Sequence, residues 1–176
     1  MEIRKLVSDQ NARVLDLCCG VGISTRALRD AFPDTATVMG LDTSKEMVAM
    51  AKFLANHVDA AKRDLVGGFL RLQDYKNKFC ANSMFRTGNA EDTKLPANSF
   101  DVVTVMYAFH EAPKEGRDRI LQEAYRVLQP GGTLAVVDIS TSYTPSDTML
   151  AGEPYVLEYQ KNIHRQLKSM RGFSKV

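Results

Sequence analysis

Asp16 stands in an apolar run, Val14 to Leu17, that ends in Cys18-Cys19-Gly20-Val21-Gly22. Asp42 closes a second apolar run, 20 positions after Gly22. Glycines at such a turn take backbone angles closed to other residues and let a ligand approach the main chain. A carboxylate about 20 residues beyond a glycine turn is where nucleotide folds receive ribose hydroxyls, and its two oxygens can accept both. Asp42 reads in that way or as a helix-capping or turn aspartate. The stretch suits a nucleotide-like ligand at the C-terminal end of a parallel strand. A phosphate-binding P-loop would need Gly-Lys-Ser/Thr at the end of the turn, and there is no such lysine. A dinucleotide fingerprint would need a third glycine where Thr25 stands. Taken alone, the stretch also fits an ordinary glycine turn between strand and helix.

The elements that must position these residues follow from pattern. Strand one is read over Arg13 to Leu17. A helix is read from Ser24, as N-cap, to Phe32, with Pro33 beyond its end. Strand two is Thr37 to Leu41, and Ser44 caps a helix with Met47, Val48, Ala51 and Leu54 on one face. Residues 57–82 are the least regular, with Gly67-Gly68 and mixed charges, and read as a helix pair or an inserted loop. Strand three is Ser83 to Thr87. Strand four, Phe100 to Tyr107, is so rich in β-branched residues that burial on both faces is expected. A helix over Glu115 to Leu128 buries Ile120, Leu121, Ala124, Val127 and Leu128, Pro130-Gly131-Gly132 stops it, and strand five is Thr133 to Ile139. Alternating strands and helices predict an α/β fold, a doubly wound, mostly parallel sheet with right-handed crossovers. A last helix, about Glu153 to Met170, has one apolar face and carries Lys161, Arg165 and Lys168 on the other. Such a helix packs on its own sheet or lies on a membrane surface, and packing is the commoner outcome.

Composition narrows the function classes. A chain of 176 residues, 44% of them hydrophobic, suits one domain with a real core. A net charge of +2 does not point to a nucleic-acid partner, which calls for a far more basic surface. Cys18, Cys19 and Cys80 make no disulfide framework and read as reduced thiols of an intracellular protein, cytoplasmic or organellar. Cys and His show no metal-ligand spacing, and no apolar run approaches the roughly 20 residues of a membrane span. No signal peptide is visible.

The glycine stretch resembles motif I of the class I S-adenosylmethionine-dependent methyltransferases, Asp-Leu-Gly-Cys-Gly-Thr-Gly. Asp16, Cys19, Gly20 and Gly22 match it, while Cys18 and Val21 replace the first glycine and the threonine. Gly40-Leu41-Asp42-Thr43-Ser44-Lys45-Glu46-Met47 is similar to the family's stretch after strand two. Gly88-Asn89-Ala90-Glu91-Asp92, Leu95-Pro96 and Ser99-Phe100-Asp101 resemble its adenine loop, and Leu128-Gln129-Pro130-Gly131-Gly132 resembles its turn before strand five. Together the matches run in order from Val14 to Ile139. The pattern is most similar to the ubiquinone/menaquinone-biosynthesis C-methyltransferases. Those enzymes often carry Arg-Asn where this chain has Phe109-His110-Glu111.

The resemblance implies a Rossmann-like methyltransferase fold and S-adenosylmethionine (SAM) as cofactor. It also implies a single domain over 1–176, short of the family's leading helices and final strands. The amides around Cys18, Cys19, Gly20 and Gly22 would meet the methionine carboxylate, and Asp16 the ammonium, directly or through water. Asp42, with Thr43 beside it, would bind the ribose diol. Met47 is an adenine contact or a helix-core methionine. Asn89, through its side-chain carbonyl, and the Ala90 N–H, with Glu91 beside them, would face the adenine. Met106 and Tyr107 would border the transferred methyl. His110, on the loop over the substrate, is a general base for a phenol, thiol or amine, a hydrogen-bond donor to substrate, or a satisfied loop residue. The implied partner is a small-molecule methyl acceptor, an apolar and prenylated ring such as a quinone precursor. Two rivals stand beside this reading. One is a SAM-fold domain that binds a partner without catalysis. The other is a nicotinamide-dependent oxidoreductase, disfavoured by Thr25 and by the adenine-loop match.

Overall fold

The computed structural model describes residues 11–32, 36–65 and 84–138. Five strands make one sheet: β1 (Arg13–Leu17), β2 (Thr37–Asp42), β3 (Phe85–Thr87), β4 (Phe100–Met106) and β5 (Leu128–Val137). Their order is β3-β2-β1-β4-β5, and every neighbouring pair is parallel. Three helices are described: α1 (Ile23–Ala31), α2 (Lys45–Leu65) and α3 (Lys114–Val127). The doubly wound α/β expectation holds. The strand order reverses between β1 and β4, the place where open parallel sheets form a ligand crevice at their C-terminal ends.

Alternation along β1 and β4 separates two cores. Leu15 and Leu17, opposite Val103 and Val105, join Ile120, Ala124 and Val127 of α3. Val14, opposite Val102, joins Leu28 of α1 and Phe32 on the other face. The expectation of a doubly buried β4 is met, since Phe100 to Val105 are all buried.

Several boundaries differ from the sequence pattern. α1 starts one residue earlier than read, and Gly22, at φ 76°, holds the cap position. Ser24 is therefore not the N-cap: it lies inside the helix, and its hydroxyl is drawn to a buried acid. α2 does begin at a Ser44 cap, whose Oγ accepts the Met47 N–H at 3.1 Å. Its buried face is Val48, Ala51 and Ala55, packed on Met84, Phe85 and Cys19. Met47 is 47% exposed, because it sits on the flank of that stripe. α2 also continues to Leu65 and so takes in the first part of the region read as irregular. β4 stops at Met106, where Tyr107 turns left-handed at φ 55°. β5 begins at Leu128 and not at Thr133: Leu128 pairs with Phe100, then the register shifts across Pro130-Gly131-Gly132 before Thr133 pairs with Val102. The rest of residues 57–82, Ser83, Ile139, the last helix and both termini lie outside the described residues.

The loop between β3 and β4 is clamped to α3 by Glu123. Its Oε1 accepts the Thr93 N–H at 2.8 Å and the Thr93 hydroxyl at 2.6 Å. Arg126 donates to both of its oxygens at 2.7 Å and to the Leu95 carbonyl.

Two outcomes are expected. The Arg126 hydrogen bonds lower the Glu123 carboxyl from 4.5 to about 2, with Thr93 adding to the effect against burial. A depressed carboxyl stabilises the fold at pH above its unfolded value, and that stabilisation is lost as pH falls from about 4.5 through about 2. Glu123→Gln should therefore cost about 1–3 kcal/mol at neutral pH and converge on the parent near pH 2, as urea unfolding at a series of pH values would read. A pH-independent difference would remove the ionic role. The second outcome concerns the glycine turn. A Cβ on Gly22 would lie 2.5 Å from the Phe85 ring, whereas one on Gly20 meets nothing within 4 Å. Both glycines have positive φ, so either alanine carries about 1–2 kcal/mol of left-handed strain. Gly22→Ala should lose about 1–3 kcal/mol more through overpacking; equal losses in denaturant unfolding would contradict the packing.

Candidate active site

Because all five strands are parallel, their C-terminal ends share one edge. That edge collects the glycine turn after β1, Asp42 at the end of β2, Asn89 to Asp92 after β3, Tyr107 to Glu111 after β4, and Asp138 after β5. Pairing across the sheet thus gathers residues that are far apart in the chain.

The turn is held by few bonds. Cys18, Gly20 and Gly22 have φ of 58°, 53° and 76°. Cys19 N–H donates to the Leu41 carbonyl at 3.1 Å, and Gly22 N–H to the Cys19 carbonyl at 2.8 Å. Asp42 ties this turn to the next one: Oδ2 accepts the Gly20 N–H at 2.8 Å and Oδ1 the Ser44 N–H at 2.9 Å. Its own carbonyl accepts the Gly88 N–H at 2.9 Å. Asp42 is therefore a turn aspartate. Each oxygen still has a second acceptor site, so a diol-binding role is compatible with that duty.

Asp16 is placed against the first of its two expected routes to an ammonium, the direct one. It is fully buried, and its carboxylate accepts hydroxyl bonds from Ser24 (2.6 Å), Thr25 (2.7 Å) and Thr104 (2.7 Å). Burial pushes its carboxyl up, and the three hydroxyls pull it back. A side chain sealed in this way cannot meet an ammonium directly. It faces α1, because residue 16 alternates with Leu15 and Leu17. What it offers the site is the fixed position of Ser24 and Thr25 in the first turn of that helix.

Burial, followed by the negative charge of Asp42, Asp16, Glu91 and Glu111, pushes the Cys18 thiol up to about 12. Burial and Asp16 do the same to Cys19. Both are neutral, unreactive thiols. Thr43 is exposed beside Asp42. Met47 is not a helix-core residue, since its side chain reaches solvent in the first turn of α2.

Asn89 makes a tight turn of its own. Its side-chain Oδ1 accepts the Glu91 N–H at 2.9 Å, and its main-chain carbonyl accepts the Asp92 N–H at 3.1 Å. One acceptor site of that amide is thus used within the loop. Ala90 is buried in the α3-side core, and Glu91 pairs with Arg119.

Met106 turns its side chain to the cluster under α1 with Val14, Leu28 and Phe32. This differs from the position expected at the transferred methyl, because β4 alternation carries Val102, Thr104 and Met106 to that face. Tyr107 is 61% exposed at the strand end, and its N–H bonds the Val137 carbonyl at 2.7 Å. His110 is buried, with Nδ1 2.6 Å from Asp138 Oδ1. Arg117 of α3, itself buried, donates to the Phe109 and Ala112 carbonyls on either side of His110.

Asp138, Arg117 and Thr104 were not singled out from the sequence. An acid directly after the apolar run of β5, on the same sheet edge as His110, was the available signal for Asp138. Nothing local marks the other two. Among the described residues, no group of three or more His, Cys, Asp or Glu is placed to hold a metal ion, and no helix is long and apolar enough to cross a membrane.

The residues present suit SAM. The Gly20 main chain borders open space, so a ligand can lie against its backbone. The N-terminus of α1 has no side-chain cap and no acid in its first turn, which leaves its positive end for a carboxylate. The negative charge of Asp42, Asp16, Glu91 and Glu111 is felt at Cys18, a field that suits a ligand bearing a sulfonium and an ammonium.

Comparison with known proteins agrees. The methyltransferase-domain family pattern matches residues 15–136. A demethylmenaquinone methyltransferase of Oceanobacillus iheyensis is 33% identical over 126 residues, covering 72% of this chain and 44% of that protein. The structure of YcgJ from Bacillus subtilis aligns with a TM-score of 0.54 at 27% identity, over 89% of this chain and 56% of that one. A SAM-dependent methyltransferase of Methanosarcina mazei shares the fold, with a TM-score of 0.59 at 22% identity over 80% and 58% of the two chains. The chain spans about half the length of the curated relatives it matches. By sequence pattern and by fold, it belongs to the class I SAM-dependent methyltransferases.

Proposed function

We propose that this chain binds SAM at the C-terminal edge of β1 and β2 and transfers its methyl group to a small apolar acceptor of the quinone-precursor class. The observation that carries the reading is the Asp42 tie. One carboxylate locks the glycine turn to the end of β2 at 2.8 and 2.9 Å and keeps acceptor sites for a ribose diol. In this reading the α1 amides and Gly20 take the methionine carboxylate, Asp42 takes the ribose, and Asn89 and the Ala90 N–H take the adenine. Met47, exposed beside them, covers the ring.

SAM, when bound, supplies a methyl group already activated on a sulfonium, so displacement depends chiefly on holding the acceptor close and in line. Tyr107 borders the acceptor. His110 receives the proton that the acceptor releases, and its burial holds the ring in place for that transfer. Support for an apolar acceptor comes from the rim of the edge, where Ile23 and Tyr107 are 68% and 61% exposed. The names of relatives about 30% identical, demethylmenaquinone methyltransferases, support the quinone class. The reduced state of Cys18 and Cys19 suits an intracellular setting.

Calorimetric titration with SAM and S-adenosylhomocysteine tests the cofactor, and methyl transfer to a short-chain reduced demethylmenaquinone tests the acceptor. Binding of both cofactor forms without transfer to any acceptor would favour a non-catalytic binding domain. Asp42→Ala should weaken SAM binding by about 1–3 kcal/mol, through lost charge-assisted hydrogen bonds; unchanged affinity would remove Asp42 from the site. His110→Ala should lower turnover about 100- to 10,000-fold, the span of a lost general base, with little change in SAM affinity. The opposite pattern would place His110 on the cofactor.

A further inference from the structure

Asp138 follows β5 directly, and both of its oxygens reach His110. Oδ1 lies 2.6 Å from His110 Nδ1, and Oδ2 accepts the His110 backbone N–H at 3.2 Å. The two side chains are only 9% and 4% exposed. A carboxylate accepts and cannot donate, so the hydrogen of this pair sits on Nδ1. In the neutral ring the lone pair is then on Nε2, the reverse of the tautomer that a histidine prefers in water. Nε2 in turn lies 3.6 Å from Glu111 Oε1, whose side chain is 67% exposed. The loop is held against drift by Arg117, which binds the carbonyls of Phe109 and Ala112, and by the Glu111 N–H to the Ala108 carbonyl. A buried carboxylate, a buried imidazole and a solvent-facing carboxylate thus stand in a row from the end of β5 to the surface.

We propose that Asp138 is a positioning residue that fixes His110 in the Nδ1–H tautomer, and that Glu111 passes the proton collected at Nε2 to water. The assignment rests on His110 being the proton acceptor of the methyl transfer. As the acceptor gains the methyl, the electron pair of the broken carbon–sulfur bond stays on sulfur, and the acceptor's proton moves to Nε2. The resulting imidazolium is balanced by Asp138, which keeps the Nδ1 hydrogen. The exposed Glu111 side chain then swings from 3.6 Å into hydrogen-bond range, takes the proton and releases it to solvent, which restores the neutral ring. Removing the Asp138 carboxylate lets the ring take its solution tautomer, with a hydrogen where the lone pair must be.

The test is a long-range 1H–15N correlation spectrum of the full chain labelled with 15N-histidine, free of ligand. Loss of one signal set in His110→Gln separates His110 from His57 and His164. The neutral His110 ring should carry its hydrogen on Nδ1 in the parent and on Nε2 in Asp138→Ala. A parent ring protonated on Nε2, or a tautomer unchanged in a folded Asp138→Ala, would overturn the assignment. Should that variant not fold, the parent spectrum still decides. Glu111→Gln should keep the tautomer but slow exchange with water of the Nε2 hydrogen, followed in acid where the ring carries both hydrogens, several-fold, with added imidazole restoring it; an unchanged exchange rate would remove Glu111 from the path. The spectra do not depend on turnover. An Nδ1–H ring in a chain that binds no SAM would support the pair while sinking the methyl-transfer reading. SAM binding with an Nε2–H ring would sink only the positioning role.

Discussion

The Asp16 carboxyl is sealed between β1, the first turn of α1 and β4, where burial pushes it up and the hydroxyls of Ser24, Thr25 and Thr104 pull it back. A carboxyl group taken out of water is costly unless it is hydrogen-bonded. That cost turns three weak polar contacts into a constraint on three elements. α1 must begin where Ser24 and Thr25 reach Asp16, so the chain between Leu17 and Ile23 has to reverse within a few residues. The positive φ angles at Cys18, Gly20 and Gly22 are the consequence. β4 must stand beside β1 with Thr104 opposite Asp16, which also sets the register that brings Tyr107 and His110 to the glycine turn.

The opposite side of the turn is held by a second acid with a different balance. Asp42 is half-buried and, among the described residues, accepts two backbone hydrogens. A carboxylate in that setting can hold the protein together and still receive a ligand, whereas Asp16 cannot. The two acids thus divide the work: one is spent on architecture, and the other ties two turns together while keeping acceptor sites at the sheet edge. The neutral thiols between them follow from the same field, since Cys18 lies among the carboxylates of three loops and no cation lowers it.

The far side of the edge is organised around α3. Glu123 and Arg126 clamp Thr93 and Leu95, and Arg117 holds the carbonyls on either side of His110. One helix therefore positions both the loop assigned to the adenine and the loop assigned to the acceptor. In the proposed reaction this matters because the barrier is mostly one of alignment. A preformed loop places Tyr107 and His110 without the ordering cost that a mobile one would carry.

Strong local patterns were legible in the sequence. The β-branched run of β4, the apolar run of β1, the Ser44 cap and the glycine turn each depend on neighbours in the chain, and each stands as read. Order along the chain also carried the family, because its motifs keep their sequence and spacing. What one-dimensional pattern could not decide is where a side chain points once strands pair. Asp16 and Met106 fall on the α1 face through strand alternation, Met47 lies on the flank of a helix whose buried stripe is Val48, Ala51 and Ala55, and Ser24 gives its hydroxyl to an acid instead of to a helix end. The His110–Asp138 pair joins residues 28 positions apart. It exists only because β4 and β5 are parallel neighbours whose ends coincide. Residue type and spacing by themselves determined the fold class and the kind of ligand. Tertiary structure alone decided which acid is buried and which still has acceptor sites to offer, because burial and the partners of each lone pair depend on chain segments brought together only by folding.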